Sequence, residues 1–332
     1  MEDAAMYVST GKHHKFLRQQ PAEQGYAHDF EAGLAPDLRR EAAYSAANPC
    51  ASAGGLEQAG IMEGIVLKLS LKVEDKAGNV ICESSGEDFV DLVCRHVYEE
   101  GDRILLEVSE KNVYINWQVD DAMSPAFVYV KDNVAYEIPF GEKRNSYSPK
   151  VFMGGVHYLY AEAASEDEIA AYRNLALNPA DQHCDTACFP QAEANVETRG
   201  ETNFAAKNAI NGVRANRSHG KWPYGSWGIN MQDDAAMKVH FGRKIRTNKV
   251  VLYTRADFPH DNWWVQVTLK FSDGSSLDFE LEKSVLGHVL TFPEREIEWI
   301  ELCNLIKSDD PSPFPALSQI EVYGWNVRER DE

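Results

Sequence analysis

The chain has 332 residues, of which 44% are hydrophobic and 11% aromatic, so it can bury the cores of about two to three domains. Its formal net charge of -19 argues against nucleic acid, anionic membranes and acidic polysaccharides, because such partners need clustered Lys and Arg. No apolar run approaches the roughly 20 residues that span a bilayer. A neutral partner is therefore expected.

The N-terminus lacks the apolar segment of a signal peptide, which predicts a cytoplasmic protein. The cysteines are spread along the chain and do not form a dense disulfide framework, so free thiols are expected. The six cysteines are Cys50, Cys82, Cys94, Cys184, Cys188 and Cys303.

Strand patterns begin near Gly64, after an Ala-, Gln- and Gly-rich stretch with little periodicity. Residues 1–58 are therefore predicted to be an irregular N-terminal arm. From there, short runs of alternating apolar and polar residues are separated by turns, such as the one around 76–79. This pattern is typical of a β-sandwich, and the first sandwich is placed at 59–164.

A helix is predicted between two β bodies. Ser165 and Glu168 fit a capping box, in which each side chain bonds an amide of the first turn. The predicted connecting helix spans 165–178 and ends at Asn178, because the following Pro179 disfavours helical backbone.

The second body, 179–328, is again predicted to be all β. The odd-numbered positions of 265–271 and of 277–281 are apolar, and they share one face only if paired residue numbers sum to an even value. This predicts a hairpin with a three-residue loop, 272–274, and a left-handed Gly274. The same alternation directs Trp263 inward and Trp264 to the opposite face.

Three segments resemble discoidin-like domains, the coagulation factor type C modules, over residues of about 174–326. They are "NLALNP" (174–179), "FAAKNAINGV" (204–213) and "FPALSQIEVYG" (314–324). The resemblance implies a galactose-binding-like jelly roll whose loops bind ligands at one end, often sugars and without catalysis. The predicted fold class is all-β, with two β-sandwich bodies joined by a short helix and an irregular N-terminal arm.

Members of this family often hold a structural calcium ion. The positions that match its carboxylates here are Asn211 and Gln319. Calcium usually needs carboxylate charge, whereas two amides can hydrogen-bond each other. Asn211 and Gln319 are therefore only vestigial calcium candidates, and no cofactor is expected.

The segment "RADFPHDNWW" (255–264) lies between two predicted strands and is therefore a loop. In sugar-binding relatives the comparable loop uses an Arg and an Asn, which implies ligand contacts here. Forked Arg and Asp groups can span neighbouring hydroxyls, and an indole can cover the C–H face of a sugar. The candidate ligand-binding residues are Arg255, Asp257, His260, Asp261, Asn262 and Trp263. Alternatively, Arg255 pairs with Asp257, His260 caps the turn and one Trp belongs to the core.

A second loop, "RSHGKWPYGSWGIN" (217–230), corresponds to a long loop at the same end of the family fold. Trp222, Tyr224 and Trp227 could form an aromatic platform, with Trp222 favoured as the stacking residue. The alternative places at least one indole in the core, and Trp227 is the better candidate for that position.

Two other readings are weaker. His183, Cys184 and Cys188 offer three zinc ligands, but no second ligand pair follows, so an ordinary linker is favoured. For catalysis, Asp257 and Asp261 with His260 form the only local acid–base set. Motifs of a nucleophile elbow, a phosphate loop or a zinc peptidase are absent from the sequence.

These observations favour a non-catalytic carbohydrate-binding protein that holds a neutral mono- or oligosaccharide in the loops of the second sandwich. A protein–protein interaction module using the same aromatic loops is the alternative, since clustered Trp, Tyr and Arg also mark interface hot spots. A glycoside-acting enzyme is the third hypothesis.

Overall fold

The computed structural model describes residues 66–182, 186–256 and 258–327, all of which belong to one compact unit, Met62–Glu332. The predicted N-terminal arm lies outside the described residues, as do Asp257, His183 and Cys184. None of the described helices has the length and apolar character needed to span a bilayer.

The first sandwich consists of two antiparallel sheets. One sheet has the strand order β2-β1-β4-β7, and the other has the order β10-β6-β5-β8-β3. Its strands are β1 (Lys68–Glu74), β2 (Val80–Glu87), β3 (Phe89–Cys94), β4 (Arg103–Val108), β5 (Val113–Gln118), β6 (Ala126–Val130), β7 (Val134–Glu137), β8 (His157–Ala163) and β10 (Cys188–Phe189).

Strict alternation creates the core of this sandwich. In β1, Leu69, Leu71 and Val73 are buried while the residues between them are less so. Because successive strand side chains point to opposite faces, these residues pack inward against the second sheet, whose largest buried side chain is Trp117. Burying each large apolar side chain contributes about 1.5–3 kcal/mol.

A disulfide joins Cys82 of β2 to Cys94 of β3. These strands are edge strands of the two opposing sheets, so the bond ties the layers together at one side. The expectation of free thiols throughout is wrong for this pair, because the fold brings the two side chains together across the sandwich. Cys188 and Cys303 are both buried.

The capping box is present, but the helix after it is short. Ser165 accepts a hydrogen bond from the amide of Glu168, whose side chain accepts one from the amide of Ser165. The helix, α1, spans only Glu166–Ala170, and the chain then extends into strand β9 (Arg173–Asn174). The predicted helix over 165–178 is thus too long, because pairing of β9 with the last strand overrides helical periodicity.

The second sandwich is built from one sheet with the order β12-β17-β13-β16-β14-β15, to which β9 and β11 add at β17 and β13. Its strands are β11 (Gln191–Ala194), β12 (Trp227–Gly228), β13 (Met237–Thr254), β14 (Trp264–Phe271), β15 (Ser276–Glu280), β16 (His288–Lys307) and β17 (Ala316–Asn326). Short 3₁₀ turns occupy 141–146, 198–200, 202–204 and 206–210.

The two long strands, β13 and β16, bend so that this sheet surrounds a single core. The pairing of β13 with β16 shifts register between His240 and Ile245. Gly242 lies in this shift with φ +70°, and a Cβ there would fall 2.4 Å from the ring of Phe189. Such a break in register lets a strand bend, so the sheet closes over its own apolar face. The fold class of two β-sandwich bodies is therefore confirmed.

The predicted hairpin is confirmed. Val267 pairs with Phe279 and Leu269 with Leu277, and Gly274 in the loop has φ +85°. The prediction for the start of β14 is wrong: Trp264 is fully buried and its neighbour Val265 is 37% exposed. A register shift between Trp264 and Gln266 reverses the alternation at this end.

The two sandwiches contact each other through strands and cations. β10, which lies in the chain between β9 and β11 of the second sandwich, pairs with β6 of the first. The guanidinium of Arg243 lies 5.1 Å from the ring centroids of both Tyr114 and Tyr129. Arg173 lies 3.9 Å from the ring centroid of Phe127.

Candidate functional site

The loops at one end of the second sandwich enclose a cleft of about 250 Å³. The loop after β13, the loop before β17 and the segment around β12 all reach this end. These three segments and the turns near 198–204 line the cleft. The lining residues are Thr198, Arg199, Phe204, His219, Ser226, Gly228, Ile229, Asn230, Met231, Arg255, His260, Asp261, Pro313, Phe314, Pro315 and Ala316.

A buried ion pair forms the floor of the cleft. Arg255 follows directly on β13, and its Nε lies 3.1 Å from Oδ2 of Asp261, with both side chains almost fully buried. The guanidinium also donates to the backbone carbonyls of Ser218 and Tyr224. Burial lowers the pKa of Arg255 and raises that of Asp261, while their mutual attraction opposes both changes.

Two histidines continue this network toward solvent. His260 Nδ1 lies 2.8 Å from Oδ1 of Asp261, and its Nε2 lies 3.0 Å from Nδ1 of His219. Burial, followed by the charges of His260 and Arg255, lowers the pKa of His219.

Aromatic rings form the walls. Phe314, from the loop before β17, is 48% exposed, and its ring centroid lies 5.9 Å from that of His260. Phe204 is half-buried and stacks on His219 at 6.5 Å. Arg199 lies over Phe204 at 5.5 Å and pairs with Glu201, so its charge is already neutralised.

A buried hydroxyl at the cleft has no hydrogen-bond partner. The hydroxyl oxygen of Ser226 is buried and makes no hydrogen bond among the described residues. A buried polar atom without a partner costs about 1–3 kcal/mol, so a ligand hydroxyl that reached Ser226 would remove an unfavourable term.

Asn262 and Trp263 do not line the cleft. Asn262 is fully buried, and its side-chain amide donates to the carbonyls of Asp310 and Ser312, so it holds the 308–315 loop in place. Trp263 is half-buried beside Lys283, whose ammonium lies 4.8 Å from its ring centroid. The predicted ligand contacts of these residues are replaced by structural ones.

The proposed aromatic platform is dispersed. Trp227 is fully buried, with its Nε1 donating to the carbonyl of Val196 at 3.0 Å, as the core alternative predicted. Trp222 is 39% exposed but lines a separate cleft of about 150 Å³ between the sandwiches. Tyr224 is half-buried and supplies only a backbone carbonyl to Arg255.

Arg255 is placed at the cleft, but not as a free ligand-binding group. Its internal ion pair is with Asp261, and the predicted alternative, a pair with Asp257, stays a prediction. Asp257 lies outside the described residues. Of the loop residues expected to bind ligand, His260 presents its side chain most openly, at 42% exposure.

The side chains at the vestigial calcium positions hydrogen-bond to the backbone and not to each other. Gln319 Oε1 accepts the amide hydrogen of Gly212 at 3.0 Å, and Asn211 Oδ1 accepts that of Val213 at 2.8 Å. The amide–amide hydrogen bond that these side chains could form is therefore not present. The two side chains nevertheless fix the same turn.

Sequence reasoning missed Phe204, His219, Ser226 and Phe314. Phe204 and Phe314 are the first residues of two segments that carry the discoidin resemblance. The sequence therefore drew attention to both segments, but it did not show that the two rings line the same cleft. His219 lies only three residues before Trp222, which attracted attention as the larger ring.

Comparisons with known proteins identify similar solved structures. No family model matches the chain, and no curated protein matches it. It is similar to chitosan-binding module 1 of a chitosanase/glucanase from Paenibacillus sp. IK-5, at 20% identity over 46% of this chain and 98% of that one, with a TM-score of 0.33. It is similar to the family 32 CBM of C. perfringens NanJ, solved with galactose, at 18% identity over 40% and 92%, with a TM-score of 0.31.

A fucose-binding module of Streptococcus pneumoniae, SpX-3, is similar at 12% identity over 46% of this chain and 98% of that one, with a TM-score of 0.33. Each of these likenesses spans less than half of the chain.

Proposed function

We propose that this chain binds a neutral saccharide in the cleft lined by Phe204, Phe314 and His260. The observation that carries the proposal is a half-exposed aromatic ring, Phe314, on the same small cleft as the buried Arg255–Asp261 pair. Aromatic faces cover the C–H side of a sugar ring, while the imidazoles of His219 and His260 serve its hydroxyls.

The charge of the cleft favours a neutral ligand. Arg255 and Asp261 neutralise each other on the floor, and Arg199 at the rim is paired with Glu201. The chain as a whole carries a formal charge of -19, which repels acidic sugars.

The carboxylates support binding without catalysis. Among the described residues that line the cleft, Asp261 is the only acidic one, and its two oxygens already contact Arg255 and His260. A glycosidase of the usual kind needs two carboxyl groups across the scissile bond.

Isothermal titration calorimetry with galactose, fucose and glucuronate tests the proposal. Galactose or fucose is expected to bind, and glucuronate is expected to bind more weakly. Phe314→Ala should weaken binding roughly tenfold, because losing an aromatic contact costs about 1.4 kcal/mol. Phe89→Ala is the matched control, since Phe89 is 44% exposed on the first sandwich and should leave affinity unchanged.

Two results would count against the proposal. If no sugar in a broad glycan panel bound, saccharide recognition would be rejected. If sugar bound equally to Phe314→Ala but not to Trp222→Ala, the site would lie in the other cleft.

A protein partner is the second candidate. Met231 and Phe314 at the mouth of the cleft are 56% and 48% exposed, which suits an interface hot spot. Self-association that depends on Phe314, without any sugar response, would favour this reading.

A further inference from the structure

A cluster of potential metal ligands lies in the first sandwich, in a part of the molecule that the saccharide cleft does not use. Asp120, Asp121 and His157 each present a ligand atom, and these atoms all lie within 4.8 Å of one another. Asp120 and His157 are each only 1% exposed. Asp121 is exposed and gives the cluster an approach from solvent.

The hydrogen bonds of His157 determine which of its nitrogens carries hydrogen. Nε2 lies 3.1 Å from the backbone carbonyl of His96, and a carbonyl only accepts, so Nε2 carries the hydrogen. Nδ1 of the neutral ring is then an unprotonated acceptor, 3.5 Å from Oδ2 of Asp120. Two buried acceptors that face each other repel unless a proton or a cation lies between them.

The local charge also calls for a cation. No Lys or Arg among the described residues forms an ion pair with Asp120 or Asp121. The oxygens of Asp120 accept the amide hydrogens of Ala122 and Phe152, each at 2.9 Å, which orients the carboxylate without neutralising it. The remaining lone pairs of these oxygens are available to an ion.

Tyr98 provides an independent indication. Its ring stacks on that of His157 with centroids 3.9 Å apart, and the residue is 5% exposed. Its hydroxyl has no hydrogen-bond partner among the described residues. An ion, or a water bound to it, would give the hydroxyl a partner.

We propose that Asp120, Asp121 and His157 bind a divalent transition-metal ion, either Zn²⁺ or Mn²⁺. An imidazole with two carboxylates suits these ions, whereas Ca²⁺ takes oxygen ligands alone. The His96 carbonyl is the partner that orients the imidazole, as such carbonyls do for metal-bound histidines. The ion staples the loop after β5 to the first residue of β8 and so stabilises the first sandwich.

Calorimetric titration of the full chain, first stripped with EDTA, tests this site with ZnCl₂ and MnCl₂ separately. About one equivalent of at least one ion is expected to bind, with a rise in the unfolding temperature. Asp121→Asn and His157→Gln should each weaken binding at least tenfold. Asp121 is exposed, so its variant keeps the fold even if replacement of the buried His157 does not.

Matched controls are Asp91→Asn, an exposed carboxylate on β3, and His240→Gln, which pairs with Glu193 in the second sandwich. Neither should change metal affinity. The proposal is overturned if the stripped protein binds neither ion, or if binding survives Asp121→Asn. Binding that is lost in Cys184→Ser but not in Asp121→Asn would place the metal elsewhere and also overturn it. Phe314→Ala should leave metal binding intact, which separates this test from that of the saccharide cleft.

Discussion

At the residue scale, four side chains form a continuous polar chain from the floor of the saccharide cleft to its mouth. Arg255 pairs with Asp261, Asp261 contacts His260, and His260 contacts His219. The buried members fix the positions of the exposed ones, which leaves the imidazoles and the phenyl rings to meet a ligand. Arg255 is therefore a positioning residue beneath the cleft.

The histidine pair predicts a pH response. Because the pKa of His219 is lowered, the unfolded chain binds this proton near pH 6.5, where the folded chain does not yet bind it. Stability is then fully present above about pH 6.5 and falls as pH is lowered toward the folded pKa. The effect is small, since His219 is exposed.

Titration of the His219 ring protons by NMR checks this prediction. The midpoint should lie below 6.5 in the wild type and move upward in His260→Gln, which removes a neighbouring positive charge. His240→Gln serves as the control. A wild-type midpoint at or above 6.5 would contradict the prediction.

At the scale of elements, the two edge strands β2 and β3 are fastened by the Cys82–Cys94 disulfide over a sequence separation of 12. Edge strands carry unpaired backbone groups along one side.

Removing the disulfide should destabilise the first sandwich. The double change Cys82→Ser and Cys94→Ser is expected to cost about 3 kcal/mol of unfolding free energy, because a short closed loop no longer restricts the unfolded chain. Urea unfolding with and without dithiothreitol measures this. The wild type should weaken on reduction, and the double variant should not respond. Equal stability of all four samples would show that the bond contributes nothing.

At the scale of the whole molecule, the two sandwiches are in contact through the guanidinium of Arg243, which lies near two aromatic rings. Arg243 belongs to β13, and its guanidinium donates to Oδ1 of Asn326. The same guanidinium lies over the rings of Tyr114 and Tyr129 of the first sandwich. Such cation–aromatic contacts contribute about 0.5–2 kcal/mol. The two bodies are therefore expected to unfold together.

Arg243→Met should loosen this coupling. The calorimetric enthalpy of unfolding should equal the van't Hoff enthalpy in the wild type and exceed it in the variant, as one transition separates into two. Arg246→Met is the matched control, because Arg246 lies over Trp325 within the second sandwich. Unchanged cooperativity in Arg243→Met would show that the coupling depends on other contacts.

Local patterns in the sequence were sufficient for features whose partners are close along the chain. The Ser165–Glu168 capping box and the left-handed Gly274 follow from the chemistry of a few neighbouring residues. The alternation of apolar residues also predicted the all-β class, since a strand repeats every two residues. Alternation placed the indole of Trp264 on the wrong face, because a register shift interrupts the alternation there. The partner strand sets such a shift, so the pattern of one strand does not predict it.

By itself, then, the sequence determined the strands, the hairpin loop, the two bodies and the loop that carries Arg255 and His260. Only the tertiary structure decided that Cys82 meets Cys94, that Trp222 faces a different cleft, and that Phe314 joins His260. The first and the last of these are contacts between residues 12 and 54 positions apart. Their partners are selected by how sheets pack and where loops converge, and no local periodicity encodes that choice.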